Sequence, residues 1–337
     1  MRIIPILCII SLLSISPASA QKTAKYAGEF ISVGTGSRAL GMGGAFVAVA
    51  EGSIASYWNP AGLIQLEYPE IQLMYAERFK GVVKYNYATA AMPFQDDAAL
   101  GIGIMRTGVD DIPITRLLNP ELRLDDIFKD ENGNSVRNIA VVDHYVNDVE
   151  YVAYFSYARK WRGSRSLGAN AKFIRKSVGD NSAWGIGFDI GLVTPLRDNL
   201  QLGINIQDVT TTLIAWDTGT KELITPNIKW GLAYRFLSNS LDILPAIDVD
   251  TRFEGREFAS QAHFGGVSLD FHYGLEVGYR GVVFLRAGSD IGKLTAGAGI
   301  QLPTLRFDAA FLNHQDLGDT YRISAAITLN RKENQGQ

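Results

Sequence analysis

The residues best suited to chemistry are the glycines of GTGSRALGMGG, Gly34 to Gly44, and a set of charged residues spread over the later two-thirds of the chain. Gly34, Gly36 and Ala39 match the G-x-G-x-x-A spacing that holds a dinucleotide pyrophosphate against a helix N-terminus. That chemistry needs a strand before the first glycine and an acidic residue ~20 positions on for the ribose. No strand-like run precedes Gly34, and Glu51 comes too early. The glycines therefore read as tight turns and close backbone packing, and no cofactor is expected.

Other chemistries fare no better. His144, His263, His272 and His314 are the only histidines, and none has metal-ligand spacing. DDIFKDENGN, Asp125 to Asn134, carries oxygen ligands that calcium could use, but Gly133 follows Asp130 at the wrong offset for an EF-hand. ENGN reads as a hairpin turn. With no catalytic triad and no metal cluster, the chain is expected not to be an enzyme.

The elements that position these residues follow from the ends and the composition. Arg2, the apolar run Ile3 to Ile15 and the A-x-A-like Ala18-Ser19-Ala20 form a secretory signal peptide over 1–20, so that Gln21 begins the mature chain. The one cysteine, Cys8, falls inside that peptide, which excludes disulfides and thiolate metal sites afterwards. Removing Arg2 from 32 Lys and Arg leaves 31 against 35 Asp and Glu, a net −4, which gives no reason to expect nucleic acid as a partner. No later apolar run approaches the ~20 residues of a membrane-spanning helix.

From Tyr68 to Leu329 the apolar residues recur with period two. In FHYGLEVGYR, Phe271, Tyr273, Leu275, Val277 and Tyr279 oppose His272, Gly274, Glu276, Gly278 and Arg280. Fourteen such strands are read, near 68–79, 82–94, 98–107, 148–161, 166–177, 183–194, 200–208, 227–236, 243–253, 268–280, 282–289, 293–302, 304–313 and 320–329. HFGGVSLD, before the tenth, could add one more piece. Their length suits the ~9–11 tilted residues that cross a bilayer core. Even-numbered connections are tight, as at 95–97, 162–164 and 302–304; the long ones, 108–147, 209–226, 254–267 and 314–319, are all odd-numbered. Short turns at one end and long loops at the other describe an all-β, antiparallel transmembrane barrel in the outer membrane of a Gram-negative bacterium.

The domain reading is then 1–20 signal peptide, 21–66 N-terminal plug or hatch in the lumen, 67–330 barrel and 331–337 polar tail. Asn59 is placed to cap a short helix with Pro60 at its first position. Strand parity turns Lys84, Glu150, Asp189, Lys229, Arg235, Asp248, Asp250, Arg252, His272, Glu276, Arg280, Arg286, Arg306, Asp308 and Arg322 towards the lumen. Facing lipid would cost an Arg or Lys ~2–4 kcal/mol at midplane. Tyr68, Trp161, Trp184, Trp230, Tyr279 and Tyr321 suit the aromatic girdles at the headgroups. Gly101, Gly103 and Gly108, with Pro93 just before them, could weaken the ladder into a lateral gap.

GSRALGMGGAFVAVAEGSIASYWNPAGLIQL, Gly36 to Leu66, resembles the N-terminal signature of the PorV/PorQ family, relatives of the FadL-type channels (OMPP1/FadL/TodX). LEVGYRGVVFLRAGSDIGKLTAGAGIQLPTLRFDAAF, Leu275 to Phe311, and GDTYRIS resemble the same family. The resemblance implies a fourteen-stranded barrel with a hatch whose motif here is Gly41, Gly43, Gly44, Asn59, Pro60, Ala61 and Gly62. It implies either a type IX secretion component that engages exported proteins or the secretion machinery or, as the alternative, a FadL-like channel that takes up hydrophobic small molecules. Outer-membrane lipid is the expected surrounding. Gly44 and Gly62 stand where type IX members tend to carry Asp and Lys, and the chain ends in RKENQGQ without a terminal aromatic.

Overall fold

The computed structural model describes residues 27–256, 259–313 and 318–329. The signal peptide, the 331–337 tail and His314 therefore lie outside the described residues.

Alternation of side chains on a pleated backbone gives each strand one face for the interior and one for the surroundings. Fourteen strands use it to build a closed wall. They are β1 (Glu70–Arg78), β2 (Val83–Phe94), β3 (Ala98–Leu117), β4 (Ala140–Lys160), β5 (Ser166–Val178), β6 (Asn181–Arg197) and β7 (Leu200–Gln207), followed by β8 (Asn227–Tyr234), β9 (Leu241–Arg252), β10 (Val267–Tyr279), β11 (Val283–Asp290), β12 (Lys293–Gln301), β13 (Leu305–Leu312) and β14 (Thr320–Thr328). Each is antiparallel to its neighbour in sequence, and Glu70 of β1 lies opposite Thr328 of β14, which closes the ring. Around this ring each of the fourteen strands is paired on both sides.

In β1 the alternation is visible residue by residue, with Glu70, Gln72, Met74 and Ala76 buried and Ile71, Leu73 and Tyr75 exposed. The six girdle aromatics, Tyr68, Trp161, Trp184, Trp230, Tyr279 and Tyr321, are all on the exposed side.

Three long connections contain more structure than their sequence suggested. Most of 108–147 is strand: β3 and β4 stay paired out to Leu117 opposite Ala140, with irregularities near Val109–Ile112 and Ile114–Thr115. At the tip of this arm Ile127–Lys129 pairs with Ser135–Arg137. The intervening turn is the expected hairpin, its Asp130 carboxylate accepting N–H bonds from Asn132 and Asn134. Within 209–226, Thr212–Trp216 and Lys221–Ile224 form a hairpin that prolongs the wall beside β6, Leu213 facing Ile186. Ala262–Phe264 pairs back on β10, the extra piece that HFGGVSLD allowed.

Among the described residues ahead of β1 are three short helices, α1 (Glu29–Ser32), α2 (Ser37–Gly41) and α3 (Ala55–Trp58), and a 3-10 turn at Pro60–Gln65. Asn59 caps that turn by accepting the Ala61 N–H at 3.2 Å, with Pro60 first in the turn. Residues 34–50 are buried without exception, and their partners are inward-facing residues of the wall.

Candidate functional site

The interior is built by the N-terminal segment seated against the wall. A methyl group at Gly43, whose φ is +62°, would fall 2.4 Å from the Ser289 amide nitrogen and 2.5 Å from the Tyr273 carbonyl, so only glycine lets the backbones meet there. Gly41 meets Gly297 in the same way, and the ring of His272 covers Gly44. The glycine run that mimics a nucleotide motif thus follows the inner surface of β10 to β12. Pro60 and Ala61 lie over Gly168, and Gly62 fits beneath the Ala50 carbonyl.

Polar side chains fix the segment. The Asp248 carboxylate accepts the N–H groups of Phe46 and Val47 at 2.7 and 2.8 Å. Asn59 donates to the carbonyls of Val47 and Leu192, Asn170 to that of Ser56 and Asn205 to that of Trp58. Tyr57 donates to the Ile31 carbonyl and accepts the Gly34 N–H, and its ring meets Tyr87 and Tyr154 edge-on.

Two ion networks lie in this packed region. Arg38 of α2 binds Glu276 through two nitrogens, each at 2.8 Å, and Glu51 through a third. Burial opposes its charge, but Glu276 and Glu51 outweigh that opposition and raise its pKa well above the usual arginine value. Arg286 continues the chain to Glu276 at 2.5 Å and Asp308 at 2.8 Å, and Arg306 reaches Asp308 at 3.2 Å. Separately, Lys172 lies between Asp189 and Asp208 at 2.7 and 2.6 Å.

Towards the long-loop end the packing opens into a cavity of about 380 Å³. Phe30, Val33, Leu40, Trp58, Ile291 and Leu312 give it apolar wall. Among the described residues, six cationic ones line it, Arg78, Lys229, Arg252, Arg256, Lys293 and Arg322, against three carboxylates, Glu29, Asp250 and Asp290. Lys229 pairs with Asp250, and Arg252 and Arg256 share Glu29. His272 sits 3.1 Å from Asp290, and its Nδ1–H donates to the Gly43 carbonyl, 3.0 Å away.

Most lumen candidates are buried where parity put them: Asp189, Lys229, Asp248, Asp250, His272, Glu276, Arg286, Asp308 and Arg322. Arg252 and Arg306 are mostly covered, and Glu150 pairs with Lys176 at 3.2 Å. Arg235 lies just past the end of β8, 3.6 Å from Asp242. Two placements need correction. Lys84 is on the outward face, exposed beside Asp110, because Tyr85 and Tyr87 turn inward to pack on the N-terminal segment. Arg280 is in the turn after β10, exposed with φ +53°, its guanidinium over Tyr279.

The lateral gap also needs correction. Gly101, Gly103 and Gly108 are paired on both sides, to β2 and to β4. Gly101 and Gly103 serve sterics instead, making room for Ser56 and the Tyr87 hydroxyl.

Sequence reading missed Arg78 and Lys172, although parity on β1 and β5 would have placed both inside. Arg38 and Glu51 had no such signal, since their segment has no period.

No family model and no curated protein matches the chain. Solved structures do. The toluene transporter TodX of P. putida is 14% identical, with 88% of this chain and 98% of that chain covered at a TM-score of 0.55. The chain has the fold of the FadL-type channels. The toluene transporter TbuX of Ralstonia pickettii, 14% identical, covers 87% of this chain and 97% of that chain at 0.54. A FadL homologue of Pseudomonas aeruginosa, 13% identical, covers 87% and 98% at 0.54.

Proposed function

We propose that the protein is an outer-membrane channel for small molecules with an apolar body, and that residues 27–66 are its hatch. The observation that carries this reading is the cavity between the N-terminal segment and the wall at the long-loop end. It is open on that side, partly apolar, and floored by a segment that fills the rest of the lumen. Its volume lies near the lower end of the ~300–1,000 Å³ usual for small-ligand sites. The secretion role that the PorV/PorQ resemblance implied has no support among the comparisons, whereas the structural neighbours are channels.

Passage would require the hatch to shift, because α2 and the glycine run close the interior below the cavity. The test is accumulation of a labelled monoaromatic solute by cells that carry the barrel, compared with cells that lack it. Faster accumulation supports the channel; equal rates in both would sink it.

A further inference from the structure

Among the described residues, the cavity holds more positive charge than its carboxylates neutralise. Arg322, on β14, is 2% exposed, and its Nε has no hydrogen-bond partner among the described residues. The contact made by its Nη1 is a 3.4 Å approach to the Gly36 carbonyl, and its guanidinium lies over the Tyr85 ring. Arg78, at the end of β1, faces the same space with its guanidinium 4.8 Å above the Phe79 ring. Lys293 stands exposed at the rim. Among the described residues none of these three is in an ion pair, whereas Lys229, Arg252 and Arg256 each are.

A buried guanidinium that no carboxylate bridges directly is costly, because more distant charges such as Asp290 repay only part of its desolvation. The cavity therefore has one strongly favoured kind of occupant, an anion. Arginine presents a planar fork that matches a carboxylate, and the apolar walls, including Phe30 and Trp58, suit a flat ring.

We propose that the cavity binds a small aromatic carboxylate, with Arg322 and Arg78 holding the acid group and Lys293 attracting it from outside. This deepens the channel reading and rests on it. A neutral hydrocarbon would leave the Arg322 guanidinium without a directly bonded anion, so the acid is the preferred ligand.

Binding to the purified barrel in mild detergent, followed by Trp58 fluorescence, tests it. The probes are naphthalene-2-carboxylate and the neutral naphthalene-2-carboxamide. The acid is expected to bind at least ~10-fold tighter than the amide, since a charge-assisted hydrogen bond exceeds a neutral one by about that factor. Arg322→Gln is expected to remove this preference. Arg78→Gln, at a less buried position, is expected to reduce it several-fold and keeps the test available if Arg322→Gln does not fold. Equal affinity for acid and amide, an unchanged preference in both variants, or full displacement by equimolar inorganic phosphate would each overturn the carboxylate assignment. Accumulation in cells of the neutral monoaromatic solute and of naphthalene-2-carboxylate is read in parallel. Uptake without acid preference removes this inference and leaves the channel; no uptake of either solute removes the channel reading itself.

Discussion

The two ends of the barrel interior handle charge differently. Towards the short turns, Arg38, Glu276, Arg286, Asp308 and Arg306 form a continuous network in which each cation meets a carboxylate. Towards the long loops, Arg322, Arg78 and Lys293 line open space with no carboxylate bridge among the described residues. Buried charge is tolerated in the first region because it is matched, and the space beside it is filled. In the second it is tolerated because a cavity is left for water or a ligand. Matched charge therefore marks where the segment is held, and excess charge marks where something can bind.

The largest effect should come from breaking the matched end. Glu276→Ala removes the carboxylate that Arg38 and Arg286 share and leaves each buried with one partner, Glu51 and Asp308, and removing one member of a buried ion pair costs ~3–5 kcal/mol. Urea unfolding of the reconstituted barrel should show a clearly lower midpoint. A midpoint equal to that of the parent chain would mean that the network does not hold the segment.

Gly43→Val comes next. Its side chain would meet the backbone of β10 and β11 from a left-handed conformation, for a cost of ~1–3 kcal/mol. Limited proteolysis should cut within 34–50, which is buried in the parent. A protected segment in the variant would show that the wall yields instead.

Asn59→Ala removes a cap and its bonds to the Val47 and Leu192 carbonyls, with an expected loss of ~1 kcal/mol in the same unfolding experiment. In contrast, Arg78→Ala at the open end should leave the urea midpoint unchanged or slightly raised, since no ion partner is stranded. A marked destabilisation would erase the contrast between the two ends. Arg280→Ala, in an exposed turn, should change neither stability nor solute accumulation.

The wall was legible because alternation and loop lengths are local properties of the chain. Its strand limits agree within a few residues over most of the ring. The error at Lys84 has a physical origin: Tyr85 and Tyr87 have the character of lipid-facing aromatics, yet the segment inside the barrel offers them an apolar surface too. A filled lumen makes both faces of β2 apolar, and parity loses its sign. The arm formed by β3 and β4 was hidden for another reason. Outside the bilayer neither face need be apolar, so VDDIPITRL and AVVDHYVNDVE mix charges into both. The pairings that hold the interior could not be read at all, since Arg38 and Glu276 meet only after the ring has closed.

That closure has a consequence for the order of assembly. β1 is the first strand of the wall and β14 the last, yet Glu70 lies opposite Thr328 and Glu77 opposite Tyr321. The seam cannot form until the final strand is available, and contacts so distant in sequence are slow to find. Until then the chain exposes two open strand edges, each a template for wrong pairing. Release of the C-terminal strand is thus the step that separates a sheet prone to aggregate from a finished vessel, and a truncation before Thr320 would forfeit the whole ring.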